Sequence, residues 1–221
     1  SELLWTLRMI KTSEEANCMR KACEITAKAL EKTFDEVSAG MTEKEVAQIL
    51  ITNHMKEGAD FPFPIPFILV DSTRPRGQPH DPTDKRLIKG DTLHIDNGSC
   101  YKGYCSDIAR VATVGPPSEA QKKAWEEVTR INEETISLVS PGKKLGELKI
   151  HWHGIGLEGV EAPFIGLHDD LPMTPGMTIA IENMKYSERG DTFHFENDVL
   201  VTEDGYEVLS KRLGSRLFET H

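Results

Sequence analysis

The chain has 221 residues and a formal net charge of −10, with 28% charged and 38% hydrophobic residues. This length allows a sizeable core in one large domain or two small ones, and the composition is that of a soluble globular protein. The acidity argues against a nucleic-acid partner, which favours a basic face. No apolar run approaches the ~18 residues of a membrane span, and no signal peptide opens the sequence, so we expect no membrane partner.

The four cysteines form two pairs, Cys18 with Cys23 and Cys100 with Cys105, and the members of each pair are five positions apart. This spacing is typical neither of a zinc knuckle nor of a spaced disulfide framework. We therefore expect four free thiols and a cytoplasmic location, where thiols stay reduced.

Three capping boxes predict the starts of helices, because a Ser or Thr precedes a Glu or Gln by three positions in each. The boxes at 12–15, 42–45 and 118–121 open helices that are expected to end near Val37, Gly58 and Ser140. Residues 1–11 are a short lead-in. Residues 61–70 are too proline-rich for a helix and predict an extended segment that ends in a short strand, and residues 71–91 predict a loop.

An alternating segment, Thr92-Leu-His-Ile-Asp96, predicts a strand with its two aliphatic residues on one face and Thr92, His94 and Asp96 on the other. The tripeptide Asn97-Gly-Ser99 predicts a turn, after which a returning strand brings Asp107 back toward Asp96. Two carboxylates 4 Å apart repel by roughly 4 kcal/mol at an effective dielectric near 20, and a cation is the usual remedy. Taken alone, such a pair is more often two unrelated surface acids.

An internal repeat relates the two halves of the chain. Val37-Ser-Ala-Gly40 is similar to Val139-Ser-Pro-Gly142, and Lys89-Gly-Asp-Thr-Leu-His-Ile-Asp96 is similar to Pro175-Gly-Met-Thr-Ile-Ala-Ile-Glu182. Asp96 and Glu182 therefore occupy the same phase of their strands. The repeat predicts an α+β fold of two related halves, each with a helical part followed by antiparallel strands.

The second half is shorter than the first. Gly40 and Gly90 are 50 positions apart, whereas Gly142 and Gly176 are 34 apart. A typical helix has about 11–12 residues, so roughly one helix after residue 149 is missing or shortened. Either the protein trims this helix or a segment is absent from the sequence.

Four acids, two from each half of the repeat, form a candidate ligand set with one histidine: Asp96, Asp107, His153, Glu182 and Glu196. Oxygen and imidazole donors suit Mn, Co, Fe or Zn. Four carboxylate charges balance two divalent ions, so we expect two metal ions. Glycines that flank the histidine let the backbone approach a bound ligand.

Two divalent ions about 3.5–4 Å apart share a water, lower its pKa from 15.7 toward ~7 and polarise a carbonyl. This chemistry favours hydrolysis of an amide or another C–N bond by the bridging hydroxide. Glu182 is the candidate for proton transfer. His80, in the loop before the metal strand, is the candidate donor to the developing oxyanion, although a loop histidine is more often an ordinary surface residue.

These segments carry a resemblance to the pita-bread metallopeptidases, which include methionine and Xaa-Pro aminopeptidases, prolidases and creatinase. The matching segments are Pro79-His80, Ile95-Asp96-Asn-Gly98, Tyr104-Cys-Ser-Asp107-Ile-Ala-Arg110, His153-Gly-Ile-Gly-Leu-Glu158, Ile181-Glu182 and Phe195-Glu196-Asn-Asp-Val-Leu-Val-Thr-Glu-Asp-Gly205. The lead-in resembles the creatinase, Xaa-Pro aminopeptidase and prolidase branch.

The resemblance implies a pita-bread fold, a curved antiparallel sheet of two pseudo-symmetric halves backed by helices. It also implies that residues 1–221 form a single catalytic domain, which an N-terminal domain precedes in a longer parent chain, and that the protein forms a homodimer. A small peptide or small molecule is the expected substrate. His80 falls at a substrate-contacting position of the family, and His194, two residues before Glu196, is a further candidate substrate contact or partner of a ligand.

One position departs from the peptidase pattern. A second histidine is expected seven positions after His153, and Val160 stands there. An Xaa-Pro dipeptidase-like or aminopeptidase-like metallohydrolase is the first hypothesis. The alternatives are a creatinase-like hydrolase of a small molecule, a relative of the lyases that act on sulfonium compounds, and a binding module that holds metal without catalysis. The intact ligand set weakens the last of these.

Overall fold

A computed structural model of the protein describes residues 2–62, 69–75 and 77–221. Its helices are α1 Glu2–Met9, α2 Ser13–Glu36, α3 Glu43–Glu57 and α4 Glu119–Ile136, with a 3-10 turn at Leu145–Glu147. Its strands are β1 Phe61–Pro62, β2 Leu69–Ser72, β3 Thr92–Asn97, β4 Ser99–Tyr101, β5 Tyr104–Cys105, β6 Ile108–Val114, β7 His151–Gly154, β8 Glu161–Phe164, β9 Thr178–Tyr186, β10 Thr192–Val201, β11 Tyr206–Val208 and β12 Phe218–Thr220. Within the described ranges, no helix is both long enough and apolar enough to cross a membrane.

The three predicted helices are confirmed, and each begins at its capping box. The third helix ends at Ile136, four residues before the predicted end. No secondary structure was predicted for the lead-in, and α1 covers most of it. Tertiary contacts stabilise α1: Arg8 pairs with Glu158 and Glu161. Such contacts join residues about 150 positions apart and cannot be read from local sequence.

The proline-rich segment predicted at 61–70 begins with β1 and ends within β2. Its residues 63–68 lie outside the described part of the chain. The short strand predicted at its end is β2, which continues to Ser72 and therefore takes the first two residues of the predicted loop. Pairing of β2 with β3 accounts for this extension, since Asp71 lies opposite His94.

The turn predicted at Asn97-Gly-Ser99 was wrong. The chain continues from β3 into β4 and turns at Lys102-Gly103, where both residues have positive φ, 50° and 83°. Two consecutive positive φ values close a tight hairpin between β4 and β5. Cys100 and Cys105 face each other across this hairpin with Cα atoms 4.2 Å apart and form a disulfide. The prediction of four free thiols was therefore wrong for this pair, while Cys18 and Cys23 are free.

The strands form a four-stranded sheet β12-β6-β3-β2, a five-stranded sheet β11-β10-β9-β7-β8 and a small sheet β1-β4-β5. All neighbouring strands are antiparallel, as predicted, except β12, which pairs with β6 in parallel. The halves of the repeat correspond in backbone conformation. Gly40 and Gly142 have φ of 94° and 85°, and Gly90 and Gly176 have φ of 89° and 92°.

Helices cover one side of each large sheet. Aliphatic residues of α2 and α3 pack on Leu93 and Ile95 of β3, which confirms the predicted inward face of that strand. In the second half, Trp152, Ile179 and Ile181 form a core with residues of the connection after α4. The one turn of 3-10 helix at 145–147 stands between α4 and β7, where the first half has the fifteen-residue α3.

The two large sheets meet where β6 lies against β10. Arg110 of β6 is fully buried there and donates to the backbone carbonyl oxygen of Glu196 and to the side chain of Asn197. Its guanidinium also lies over the ring of Phe195, 4.2 Å from the centroid. Asn132 of α4 donates to backbone carbonyls of β9 and β10. These side chains satisfy polar groups at the junction and fix β10 beside the first half.

Gly154→Ala is expected to lower the free energy of unfolding by about 1–3 kcal/mol or more, because overpacking forces backbone shifts. A Cβ at Gly154 would lie 2.3 Å from the carbonyl oxygen of Ala162 in β8. Chemical denaturation measures the change. Gly205→Ala is the matched control, since a Cβ there meets nothing within 4 Å, and it should change stability by less than about 0.5 kcal/mol. Equal stability of the two variants would contradict the close approach of β7 and β8.

Candidate metal centre

The four acids of the predicted ligand set come from two hairpins, one in each half. Asp96 lies near the end of β3, and Asp107 immediately precedes β6, which pairs with β3. In the second half, Glu182 of β9 and Glu196 of β10 lie directly opposite each other. The two hairpins meet at the junction of the sheets. Residues two apart share one face of a strand, so the four acids of the hairpins form one acidic cluster there.

His153 of β7 lies at the buried side of this cluster. Its Nε2 atom is 3.5 Å from Glu196 Oε1 and 3.9 Å from Asp107 Oδ2. Its Nδ1 faces the backbone carbonyl oxygen of Gly154 at 3.0 Å, which leaves Nε2 free to act as a donor to a metal ion. Asp107, His153 and Glu196 each offer one atom within 4.8 Å of the others, a spacing suited to one ion.

Burial and mutual repulsion dominate the electrostatics of the cluster. Burial raises the pKa of Asp107 well above its usual range, and the charges of Asp96 and Asp198 raise it further. Burial, followed by the charges of Asp107 and Asp96, has the same effect on the pKa of Glu196. A nearby positive charge would favour the ionised form of both carboxylates at neutral pH.

Glu182 differs from these two acids. Burial raises its pKa, but the neighbouring His194, His151 and His153 outweigh that effect and bring the pKa to about 2. Its side chain is 21% exposed, against 2% for Glu196. Glu182 is therefore an ionised carboxylate at the accessible side of the cluster.

His80 and His194 lie near the cluster at different depths. The side chain of His80 is 24% exposed, its Nδ1 is 2.8 Å from Asp71 Oδ1, and its Nε2 is 3.3 Å from the Tyr186 hydroxyl. This hydrogen bond to Asp71 raises the pKa of His80. His194 is fully buried, and its Nε2 lies 2.9 Å from Glu182 Oε2. Val160 is exposed, in the connection between β7 and β8.

Three buried residues at the site carried no predicted role: Asp71, His94 and Asp198. Asp198 accepts a hydrogen bond from the backbone N–H of Asp107 and another from the Cys23 thiol, and its burial raises its pKa to about 7. His94 alternates with Asp96 along β3, so its place on the site face was available from the sequence. Asp71 had no such signal, because it pairs with β3 through a contact across the sheet.

Comparison with solved structures identifies the class of fold. The chain resembles the X-Pro aminopeptidase from Thermotoga maritima with a TM-score of 0.89 and 30% identity, over 99% of this chain and 66% of that one. It resembles the prolidase from Pyrococcus furiosus with a TM-score of 0.85 and 32% identity, over 95% of this chain and 67% of that one. The fold is thus the pita-bread fold of metallopeptidases, as predicted.

The chain belongs to metallopeptidase family M24, whose sequence model matches residues 17–152 and 151–203. The two matched segments meet at β7, just after the connection with the 3-10 turn. A curated relative, the Xaa-Pro dipeptidase of Pyrococcus furiosus, is 34% identical over 229 aligned residues, covering 95% of this chain. The chain spans 65% of the length of that relative.

Glu196→Gln is expected to raise the melting temperature of the metal-free protein at pH 8. The pKa of Glu196 is raised in the folded state, so the folded chain holds this proton more tightly than the unfolded chain. The contribution of Glu196 to stability is therefore fully present below the pKa of its unfolded state, and it is lost as the pH rises through the higher pKa of its folded state. Glutamine removes the charge, and each kcal/mol gained corresponds to about 2–4 °C.

Thermal denaturation between pH 5 and pH 8, with a chelator present, measures this effect, which should shrink toward pH 5. Glu203→Gln, at an exposed position, is the matched control. A Glu196→Gln melting temperature below that of the wild-type protein at pH 8 would contradict the repulsion.

Proposed function

We propose that this protein is a dinuclear metal-dependent peptidase that hydrolyses Xaa-Pro peptides. The observation that carries the proposal is the convergence of Asp96, Asp107, His153, Glu182 and Glu196 on one cluster at the junction of two half-sheets. Two relatives, an Xaa-Pro dipeptidase and an X-Pro aminopeptidase, supply the substrate class. Those activities belong to longer chains, so this chain's activity and substrate are part of the proposal.

The donors fit divalent ions on chemical grounds. Four carboxylates and an imidazole suit Mn, Co, Fe or Zn, and the four negative charges match two such ions. The raised pKa values of Asp107 and Glu196 support this fit, because burial and then like charge disfavour their ionised forms and a nearby cation would favour them. We assign Asp96, Asp107, His153, Glu182 and Glu196 as the ligands.

When bound, two divalent ions would lower the pKa of a water molecule and polarise the substrate carbonyl. Glu182 would accept the proton of the attacking water and deliver it to the leaving nitrogen, since it is an ionised carboxylate at the accessible side of the cluster. Its backbone is fixed opposite Glu196 in the β9–β10 ladder, which holds the carboxylate in place.

His80 would contact the substrate from the edge of the site. Asp71 accepts the hydrogen bond from His80 Nδ1–H, which orients the ring and raises the pKa of His80. Protonated His80 would carry a second N–H at Nε2, which could donate to a substrate oxygen. A donor aimed at a developing oxyanion contributes most in a site from which water is excluded. The partial exposure of His80 is consistent with a position at the entrance.

Val160 favours a second candidate function, a creatinase-like C–N hydrolase that acts on a small molecule, because the histidine that the peptidase pattern expects is absent. A panel of Xaa-Pro dipeptides, creatine-like compounds and a sulfonium compound, assayed with Mn or Co, separates the candidates. Turnover of the dipeptides alone supports the peptidase. Full metal loading with no turnover of any compound supports the binding module instead.

The homodimer and the cytoplasmic location expected from the sequence stay predictions. Light scattering coupled to size-exclusion chromatography measures the oligomeric state directly. A monomer at assay concentration would contradict the first of these predictions without affecting the assignment of the ligands.

Glu182→Gln is expected to lower kcat on an Xaa-Pro dipeptide by roughly 10²–10⁴-fold or more, because it removes both a ligand and the proton acceptor. Asp107→Ala should lose bound metal as well, which elemental analysis after loading and desalting measures. Glu203→Gln, at an exposed position, should keep both activity and metal. Full activity in either ligand variant, or less than one ion per wild-type chain, would contradict the proposal.

His80→Ala is expected to lower kcat by about 10²–10³-fold, with the metal content unchanged, because the side chain contacts the substrate without binding the ions. Steady-state kinetics and elemental analysis on the same preparation measure both quantities. His221→Ala, at the exposed end of the chain, is the matched control. Loss of metal in His80→Ala would show that the assigned role is wrong.

A further inference from the structure

A line of buried polar side chains leads from the acidic cluster into the first half of the molecule. His194 Nδ1 is 3.1 Å from His94 Nε2, and His94 Nδ1 is 2.6 Å from Asp71 Oδ1. Asp71 also accepts from His80 Nδ1 and from the Thr192 hydroxyl. His94, Asp71 and His194 are at most 1% exposed, so water does not compete for these contacts.

The hydrogen bonds of this line fix which nitrogen of each ring carries a proton. An ionised carboxylate only accepts, so His94 Nδ1–H donates to Asp71. In neutral His94 the lone pair is then on Nε2, and this atom accepts the Nδ1–H of His194. Because Nδ1 of His194 donates to His94, Nε2 is the nitrogen of His194 that remains to bind a metal ion, and it faces the acidic cluster.

His194 Nε2 is buried and has no hydrogen-bond partner in the described part of the chain. It lies 2.9 Å from Glu182 Oε2 and 4.0 Å from Glu196 Oε2, both of which bear lone pairs. The contact between His194 Nε2 and Glu182 Oε2 has the length of a hydrogen bond without its alignment. The first distance is typical of neighbouring ligands on one ion, since two bonds of about 2.0–2.2 Å at a right angle separate the donors by about 3 Å.

Strand register places His194 and His153 at opposite ends of the Glu182–Glu196 pair. His153 lies opposite Ala180, two residues before Glu182, and His194 lies opposite Met184, two residues after it. All these side chains share one face, because residues two apart on a strand do so. Each end of the pair of glutamates therefore has one imidazole.

We propose that His194 Nε2 is a sixth metal ligand, beside Glu182, and that His94 and Asp71 are positioning residues that hold its tautomer. The proposal rests on the dinuclear site of the proposed function and adds one imidazole ligand to it. Ligating imidazoles generally donate their other N–H to a polar partner, and here that partner is a second imidazole backed by a carboxylate. His194 thereby becomes part of the centre rather than a substrate contact.

X-ray absorption spectroscopy of the cobalt-loaded full chain counts imidazole ligands. The wild-type protein should show two imidazoles per two cobalt ions, and His194→Ala should show one. Competition with a chelator should show one of the two binding steps weakened about 100-fold in His194→Ala and about 10–100-fold in Asp71→Asn. His194→Gln serves if the alanine variant does not fold, and it should lose the same imidazole.

Two variants serve as controls for the imidazole count. His221→Ala removes an exposed imidazole elsewhere and should leave the spectrum and both affinities unchanged. His151 Nε2 lies 3.5 Å from Glu182 on the exposed side, so His151 is the competing candidate for the second imidazole ligand. His151→Ala tests that assignment. Loss of an imidazole in His151→Ala, rather than in the His194 variants, overturns the proposal.

The proposal and the proposed function fail in different ways. One imidazole per two ions in the wild-type protein, with a His194 variant that keeps that spectrum and both affinities, overturns the sixth ligand and leaves the dinuclear peptidase intact. A wild-type chain that binds no cobalt overturns the dinuclear site itself, and with it this proposal.

Discussion

Repulsion among buried carboxylates is the constraint on which the rest of this structure depends. Glu182 and Glu196 face each other across β9 and β10, and Asp107 lies beside Glu196 at the junction of the sheets. Without a cation, burial and like charge oppose the ionisation of Asp107 and Glu196. The surrounding fold holds the cluster together despite this cost, which is the behaviour expected of a preformed metal centre.

The fold holds the cluster through groups that act on the backbone. Arg110 donates to the carbonyl oxygen of Glu196, and Asp198 accepts from the N–H of Asp107. Both side chains are fully buried, so their removal would leave unpaired polar groups in the interior. The proposed ligands of one half are thus positioned by side chains of the other half, and neither half forms the proposed site alone.

Local sequence predicted much of the fold. Three capping boxes located three helices, and the alternation at β3 identified its inner face, because both signals act within a few residues. The errors have a common physical cause. α1, the parallel strand β12 and the Cys100–Cys105 pair depend on partners that local patterns do not reveal. The hairpin turns at Lys102-Gly103 because the chain continues past Gly98 into β4.

The sequence by itself determined the residue types of the proposed centre and the phase of each on its strand, since the repeat places Asp96 and Glu182 at equivalent positions. A period of two residues then fixed which side chains share a face. Only the tertiary structure decided how the two halves meet. It brought Asp71, His94 and His194 into one buried line, because cross-strand register and the contact between sheets join residues about 100 positions apart.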